Sequence, residues 1–500
     1  MSEVSIPAQR PPQPRRNPIL HLIPLAVVPI AGLLVFAVGI AMGARRDNIW
    51  ILGLAVLTVM VAMIPLLLDR VRSDENRQIL ITFLSLAWMA SFVLPVYSDW
   101  YLNDGILAGI PGLVGIQARD VILGQAAALL GLVGLLLGFY LPIGSIVGRA
   151  LPRPTRDWSQ PECLAIAMVL IPLGFSVALA GQFGLIPERV GTGVLGGIAQ
   201  SYNIGLALLA IVYFRHHSQA ALITLILLIP IISSLAFFTG SKSQLLQPMM
   251  MVAFAHIVLA RRIRAFWIAG GVTAIVLIYP ISVFFREAVN LGNYLSAVEV
   301  LSNPGRAFGL LSAFVSQAEL GSYLTAGLEA TGNRFNALGI TSVIVRDTPE
   351  RVPFQGGWSI GYVFVAYVPR IFWADKPIVT VLGQWITDSY GPGPHITSHT
   401  APSWVGEFYM NFGFPGILLG CITLGVLFRL LQELFFRGNA TTPLVLMGVV
   451  ILSALALSVE KSLVVTLNSF VFNTFPIVIA YVGAVALFGG RRRPVPVQRL

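Results

Sequence analysis

Basic residues in three separate segments of this sequence could bind a phosphorylated substrate. Arginine accounts for 29 of the 32 basic residues, and its planar guanidinium group can hold two phosphate oxygens at once. Arg286 lies in FFREAV, Arg334 in TGNRFNALG, and Arg370 in PRIFWADKP, which also contains Lys376. These four side chains predict a diphosphate-binding site. The alternative is that each arginine only pairs with an acidic neighbour such as Asp375.

Lys242 adds a further basic residue in the short segment TGSKSQ. Backbone N–H groups in a small polar turn of this kind can bind an anion. Lys242 is therefore a candidate for a second phosphate contact. The alternative is a lysine whose ammonium group simply reaches the membrane interface.

Two histidines and a glutamate lie in GPGPHITSHTAPSWVGEFYMNFG, residues 391–413. His395, His399 and Glu407 are candidate catalytic residues, because a histidine or a buried carboxylate can act as a general base. The alternative is that the histidines hydrogen-bond the loop and that Glu407 pairs with an arginine. The surrounding prolines oppose the helix that a histidine pair would need to bind zinc, so no metal site is predicted.

Nucleotide chemistry finds little support in the sequence. We find no phosphate-binding loop of the G-x-x-x-x-G-K-[ST] type, no D-x-D pair, and no G-x-G-x-x-G turn in a context suited to binding a dinucleotide. No cofactor is expected.

The elements that must position these residues are membrane helices. The chain of 500 residues is 56% hydrophobic and 11% charged, and its mean hydropathy is +0.81. So few charged residues cannot cover a water-soluble protein of this size. Apolar runs long enough to cross a bilayer predict an all-α polytopic membrane protein with about twelve transmembrane helices. The predicted spans are 19–43, 49–68, 78–97, 121–146, 163–181, 195–214, 220–238, 245–260, 265–285, 412–436, 442–459 and 462–488.

Arginine placement predicts the orientation, because basic residues accumulate on the cytoplasmic side. With the N-terminus inside, eighteen arginines fall in cytoplasmic segments, against six basic residues in the short segments on the other side. Both termini are therefore predicted to be cytoplasmic. The net charge of +10 is explained by this asymmetry, and no nucleic-acid partner is expected.

The predicted organisation has five parts. Residues 1–18 form a disordered cytoplasmic tail, 19–285 carry the first nine spans, 412–488 carry the last three, and 489–500 form a second tail. Residues 286–411 are too long for a structureless loop and predict an extracytoplasmic cap between spans 9 and 10. Within the cap, 306–330 has an amphipathic helical pattern, and 356–373 is typical of an interfacial or re-entrant segment.

Three segments resemble one bacterial family. The TGSKSQ turn, the PRIFWADKP element and the GEFYMNFG stretch that leads into the next span look like those of O-antigen and exopolysaccharide repeat-unit polymerases, the Wzy type. The resemblance is detailed over residues 238–416 and extends elsewhere only to the topology. The family would have arginine where this turn has Lys242.

The resemblance implies glycosyl transfer at the outer face of the bacterial inner membrane. Its substrates would be two polyprenyl-diphosphate-linked glycans, one growing and one a single repeat unit. By position it assigns functions to Arg370, Lys376, Lys242 and Glu407. Preorganised basic groups could stabilise the diphosphate leaving group without metal, and attack from the opposite face would invert the anomeric carbon. A flippase and a chain-length regulator are possible partners within the lipid bilayer.

Three other classes are compatible with parts of the pattern. A lipid-linked glycan ligase of the O-antigen ligase type would differ only in its acceptor. A metal-dependent polytopic glycosyltransferase would need an acidic pair in its first outer loop, where this chain has ARRDN. A transporter or flippase would place more charged groups inside the spans and would not need a long cap.

Overall fold

The computed structural model describes most of the helical part of the chain. The described residues are 46–72, 77–96, 116–182, 185–186, 194–238, 242–264, 266–274, 276–277, 337–366, 368, 373, 381–391, 400–438, 441–456 and 458–488, with isolated positions between 303 and 327. These residues form helices and turns, and no strand occurs among them. The all-α prediction is confirmed for this part of the chain.

The helices are numbered here along the chain. They are α1 (Arg46–Val71), α2 (Ile79–Phe92), α3 (Ala118–Tyr140), α4 (Pro142–Ala150), α5 (Gln160–Gln182), α6 (Val194–Ala199), α7 (Ser201–His216), α8 (Gln219–Phe238), α9 (Lys242–Ala260), α10 (Ala337–Asp347), α11 (Trp358–Ala366), α12 (Val381–Tyr390), α13 (Ser403–Phe435), α14 (Thr442–Leu455) and α15 (Leu463–Phe488).

Seven helical segments of the described chain are long and apolar enough to cross a membrane. They are Ile49–Val71, Ile79–Val96, Ala118–Tyr140, Gln160–Gly181, Leu195–His216, Ser403–Phe435 and Leu463–Gly483. Shorter apolar helices cover Gln219–Ser233, Leu245–Ala260 and Thr442–Leu455. A polytopic membrane protein follows from this composition, while the count of twelve spans stays a prediction. The first predicted span, 19–43, lies outside the described residues.

Helices α3 and α13 form the tightest pair in the described bundle, and they run parallel. Successive glycines of α3 contact successive turns of α13: Gly134 faces Leu418 and Cys421, and Gly138 faces Ile422. A methyl group added at Gly138 would overlap the Ile422 carbonyl oxygen. Small residues let two membrane helices approach this closely, so the glycines of α3 explain why this pair forms the centre.

A second group of helices packs around α7. All residues from Ser201 to Val212 are buried, because α5, α8, α9 and α14 surround this helix. An apolar helix without a polar face is expected to be enclosed in this way.

Two helices from the predicted cap region pack against the membrane helices. Helix α10 is buried against α3 and α13, with Ser342 packed directly on Gly124. Helix α11, only nine residues long, is too short to cross a bilayer and packs against α13 and α15. Helices α10 and α11 therefore belong to the helix bundle, and the cap as a whole stays a prediction.

Helix α13 begins nine residues before the predicted span at 412, and it breaks at Gly413. The backbone of Gly413 has φ 66° and ψ −156°, which separates the helix into two parts. Residues with side chains rarely adopt this conformation, and Pro415 follows two residues later. The part from Ser403 to Phe412 carries the candidate site, and the part after Pro415 pairs with α3.

Polar contacts gather at one end of the bundle. Arg149 pairs with Glu433 at 3.3 Å, and Arg215 pairs with Asp157 at 3.3 Å. Further hydrogen bonds and ion pairs place five more arginines at this end: Arg72, Arg77, Arg153, Arg261 and Arg437. These arginines all come from segments predicted to be cytoplasmic. The structure therefore groups them at one end, and the assignment of that end to the cytoplasm stays a prediction.

Candidate functional site

Most of the predicted site residues lie outside the described residues. They are Arg286, Arg334, Arg370, Lys376, His395 and His399. Lys242 is described only as the first residue of α9. The convergence of these basic groups and the role of the two histidines therefore stay predictions. Glu407 is the predicted site residue whose surroundings the structure gives.

Glu407 lies one turn into α13 and is fully buried. Its Oε2 accepts a hydrogen bond of 2.6 Å from the backbone N–H of Leu463, the first residue of α15. The first N–H groups of a helix have no partner within the helix, and the positive end of the helix dipole favours a carboxylate there. Glu407 thereby fixes the start of α15 to α13.

Asn411 extends this arrangement one turn further along α13. Its Nδ2 donates to the Glu407 carbonyl oxygen at 2.7 Å and to Ser359 Oγ at 2.8 Å. Its Oδ1 accepts from the Gly357 N–H at 2.8 Å. One amide side chain therefore attaches the N-terminal turn of α11 to α13. We call Glu407, Asn411, Ser359 and the backbones of Gly357 and Leu463 the Glu407 cluster.

The second carboxylate oxygen of Glu407, Oε1, lacks a hydrogen bond of defined geometry in the described part of the chain. Oε1 is buried and accepts no hydrogen bond among the described residues, although the Ser359 hydroxyl lies close enough to interact with the carboxyl group. An unpaired buried polar atom costs free energy, so such atoms are uncommon in native proteins. The carboxyl group is enclosed by protein and does not reach solvent.

The glycines of GEFYMNFG are explained by close contacts or by backbone conformation. A Cβ added at Gly406 would lie 2.9 Å from Ile344 Cδ1, because α10 crosses α13 at this point. Gly413 forms the break in α13. Gly357, which donates to Asn411, has φ 93° and also packs against the Phe412 ring. The stretch thus has glycine where neighbouring helices approach closely and where α13 breaks.

Two further hydrogen bonds hold the beginning of α13. Ser403 Oγ bonds to Thr341 Oγ1 on α10 at 2.8 Å, and Trp404 Nε1 donates to Thr466 Oγ1 on α15 at 3.2 Å. The Trp404 side chain is completely buried. Ser403 and Trp404, which follow the segment that contains His395 and His399, are therefore held by α10 and α15.

Helix α12, which precedes the segment that contains His395 and His399, is anchored at its C-terminal end. The Tyr390 hydroxyl bonds to Thr348 Oγ1 at 2.8 Å, and Arg351 Nη2 donates to the Ser389 carbonyl at 2.6 Å. Burial raises the pKa of Tyr390 to about 12, so its hydroxyl stays protonated at neutral pH. Asp347 holds Arg351 in place at 3.2 Å.

Sequence reasoning identified Glu407 but missed Asn411 and Ser359. Asn411 lies in the quoted GEFYMNFG stretch, four residues after Glu407, which places both on one side of a helix. That spacing was a usable signal. Ser359 and Gly357 carry no comparable signal, because they lie about fifty residues earlier in the chain.

The described part of the chain contains no group of three His, Cys, Asp or Glu side chains that could hold a metal ion. The Glu407 cluster contains a single carboxylate and two neutral polar side chains. Its hydrogen bonds hold the three helices α11, α13 and α15 together.

No protein family, no curated protein and no solved structure matches the chain.

Proposed function

We propose that this protein is a bacterial inner-membrane glycosyltransferase that polymerises polyprenyl-diphosphate-linked repeat units into a surface polysaccharide. The reaction takes place on the outer face of the membrane and inverts the anomeric carbon. The proposal rests on the resemblance of three segments to repeat-unit polymerases, on the helical membrane architecture and on the Glu407 cluster.

The observation that carries most weight is the fixing of α11, α13 and α15 by one buried carboxylate and one amide. Helix α11 ends three residues before Pro369, where the element with Arg370 and Lys376 begins. Helix α13 begins four residues after His399. A site built from two chain segments needs rigid attachment points for both, and the Glu407 cluster links the helices on which those segments depend.

The roles follow from the chemistry of transfer from a diphosphate. A hydroxyl group of the acceptor glycan attacks the anomeric carbon of the donor, and the bond from that carbon to the diphosphate oxygen breaks. Arg370 and Lys376, with Arg286, Arg334 and Lys242, bind the diphosphate and stabilise the charge that it gains. His399 takes the proton from the attacking hydroxyl, with His395 as the alternative base. Glu407, being enclosed, serves as an anchor.

Deletion of the gene, followed by gel analysis of surface glycan, tests this function. We expect loss of the ladder of long chains while single repeat units remain. Loss of every glycan band would instead favour export or ligation and would contradict the polymerase.

Arg370→Ala tests the diphosphate site in the same strain. We expect the complemented strain to make single repeat units only, because the leaving group loses its charge-assisted contacts. Arg119→Ala is the control, since Arg119 is an exposed arginine at the start of α3, and it should restore the ladder. Membrane content of both variants is measured by immunoblot. Long polymer from Arg370→Ala at normal protein content would reject the assigned role.

A further inference from the structure

Four arginines surround one buried carboxylate at the end of the bundle opposite the Glu407 cluster. Glu433 on α13 lies 2.7 Å from Arg429, 3.3 Å from Arg149 and 3.5 Å from Arg437. Arg153 donates to the Glu433 and Arg437 carbonyl oxygens. We call these four arginines and Glu433 the arginine cluster.

Positive charge in the arginine cluster exceeds what Glu433 can neutralise. Burial and the nearby charge of Arg437 lower the pKa of Arg153. The neighbouring carboxylates are engaged with arginines outside the cluster. These pairs are Asp69 with Arg72, Asp157 with Arg215 and Glu162 with Arg156. The cluster therefore carries a net charge of about +3 at neutral pH.

Two of the four guanidinium groups are open to an incoming ligand. The side chains of Arg149 and Arg437 are 54% and 49% exposed, whereas those of Arg429 and Glu433 are 15% and 7% exposed. The buried pair fixes the cluster, and the exposed pair presents donors outwards. Two guanidinium groups with this freedom fit the oxygens of a phosphate group.

Apolar side chains on α4 lie next to the exposed Arg149. Ile143, Ile146 and Val147 are 54%, 65% and 43% exposed, and Arg149 follows Ile146 by three residues, on the same side of the helix. Gly144 and Gly148 pack the other side of α4 against α13. The surface therefore offers a phosphate-binding group next to a strip suited to hydrocarbon.

We propose that the arginine cluster binds the phosphate of an anionic phospholipid, whose acyl chains cover the exposed apolar side of α4. A phospholipid carries both a phosphate group for the arginines and hydrocarbon chains for the apolar strip. An acidic protein surface would supply only the negative charge. Basic clusters next to membrane helices on the cytoplasmic side typically recognise anionic lipids, and amphipathic helices lie at that interface. This site is independent of the proposed glycosyl transfer.

Lipid titration followed by native mass spectrometry of the purified full-length protein tests the proposal. We expect phosphatidylglycerol to bind with a lower dissociation constant than phosphatidylcholine of the same acyl chains. The double variant Arg149→Gln/Arg437→Gln should weaken phosphatidylglycerol binding roughly thirtyfold, since each basic residue near an anionic surface contributes about fivefold. Arg119→Gln, an exposed arginine at the other end of α3, is the matched control and should change nothing.

Further measurements distinguish a lipid phosphate from inorganic phosphate. Additional variants keep the test decisive if one variant misfolds. Inorganic phosphate should not compete with phosphatidylglycerol, and effective competition would overturn the lipid assignment. Equal binding of both lipids, or an unchanged double variant, would also overturn it. Arg149→Lys/Arg437→Lys keeps the charge and should retain most of the binding. If the glutamine double variant does not fold, Arg437→Gln alone should still weaken binding about fivefold.

Discussion

Glu407 connects two helices through a single carboxylate oxygen. Glu407 Oε2 accepts a hydrogen bond from the Leu463 N–H, which would otherwise lack a partner inside the protein. Leaving such a group unpaired costs about 1–3 kcal/mol. Asn411 adds the third helix through two hydrogen bonds, from the Gly357 N–H and to Ser359 Oγ. The sequence predicted Glu407 as a candidate catalytic residue; its contacts are those of an anchor between helices, and the identity of the base stays a prediction.

Replacement of Glu407 separates these two roles. Glu407→Gln keeps an oxygen that can accept from Leu463 N–H, so we expect a near-normal Tm in detergent and an intact glycan ladder. Glu407→Ala leaves the N–H unpaired and should lower the stability by about 1–3 kcal/mol. Loss of long polymer in a Glu407→Gln variant of unchanged Tm would identify Glu407 as the base instead.

At the scale of the helices, the pairing of α3 with α13 depends on the absence of side chains. Gly138 contacts the Ile422 carbonyl, and Gly425 in turn packs against the Leu135 carbonyl. Each helix therefore presents a glycine to the backbone of the other. The helix lengths could be read from hydropathy, but this choice of partner could not.

Gly138→Ala should weaken the helix pair by about 1–3 kcal/mol, because the added methyl group overpacks a backbone contact that only helix separation can relieve. The control is Gly483→Ala on α15, where a Cβ meets no atom within 4 Å. That variant should be neutral or more stable by about 0.5–1 kcal/mol, since alanine favours the helix. Thermal unfolding of the two purified variants measures the difference; equal Tm values would contradict the close packing.

At the scale of the whole molecule, the Glu407 cluster and the arginine cluster occupy opposite ends. Helix α3 joins the two ends: Asp120 at its start is near Arg346 of α10, and α4 continues from its end to Glu433. The predicted orientation therefore places the Glu407 cluster on the outer face and the arginine cluster in the cytoplasm.

Cysteine labelling in intact cells checks this orientation. Gln117→Cys and Ala150→Cys introduce thiols at exposed positions at either end of α3 and α4, while the native Cys163 and Cys421 are buried. We expect a membrane-impermeant maleimide to label the first variant in intact cells and the second only after the membrane is opened. The reverse pattern would invert the topology and remove the proposed active site from the outer face.

Hydropathy predicted several helices to within a few residues. The apolar runs 220–238 and 462–488 correspond to α8 and α15. The start of α13 was placed too late, because Glu407 and Asn411 count as polar although their partners lie inside the protein. The candidate site could be predicted only in part: the Glu407 cluster joins residues more than fifty positions apart, and no local pattern encodes such contacts.

The parallel pairing of α3 with α13 also affects how the protein is made. Leu418 follows Gly134 by 284 residues, so at ribosomal speeds of 5–20 residues per second the first helix awaits its partner for roughly 15 to 60 s. Throughout this interval, the glycine-lined surface of α3 contacts lipid or another protein instead of α13. Membrane insertases and quality-control proteases therefore encounter an incomplete bundle, and chains truncated before Ser403 should be degraded.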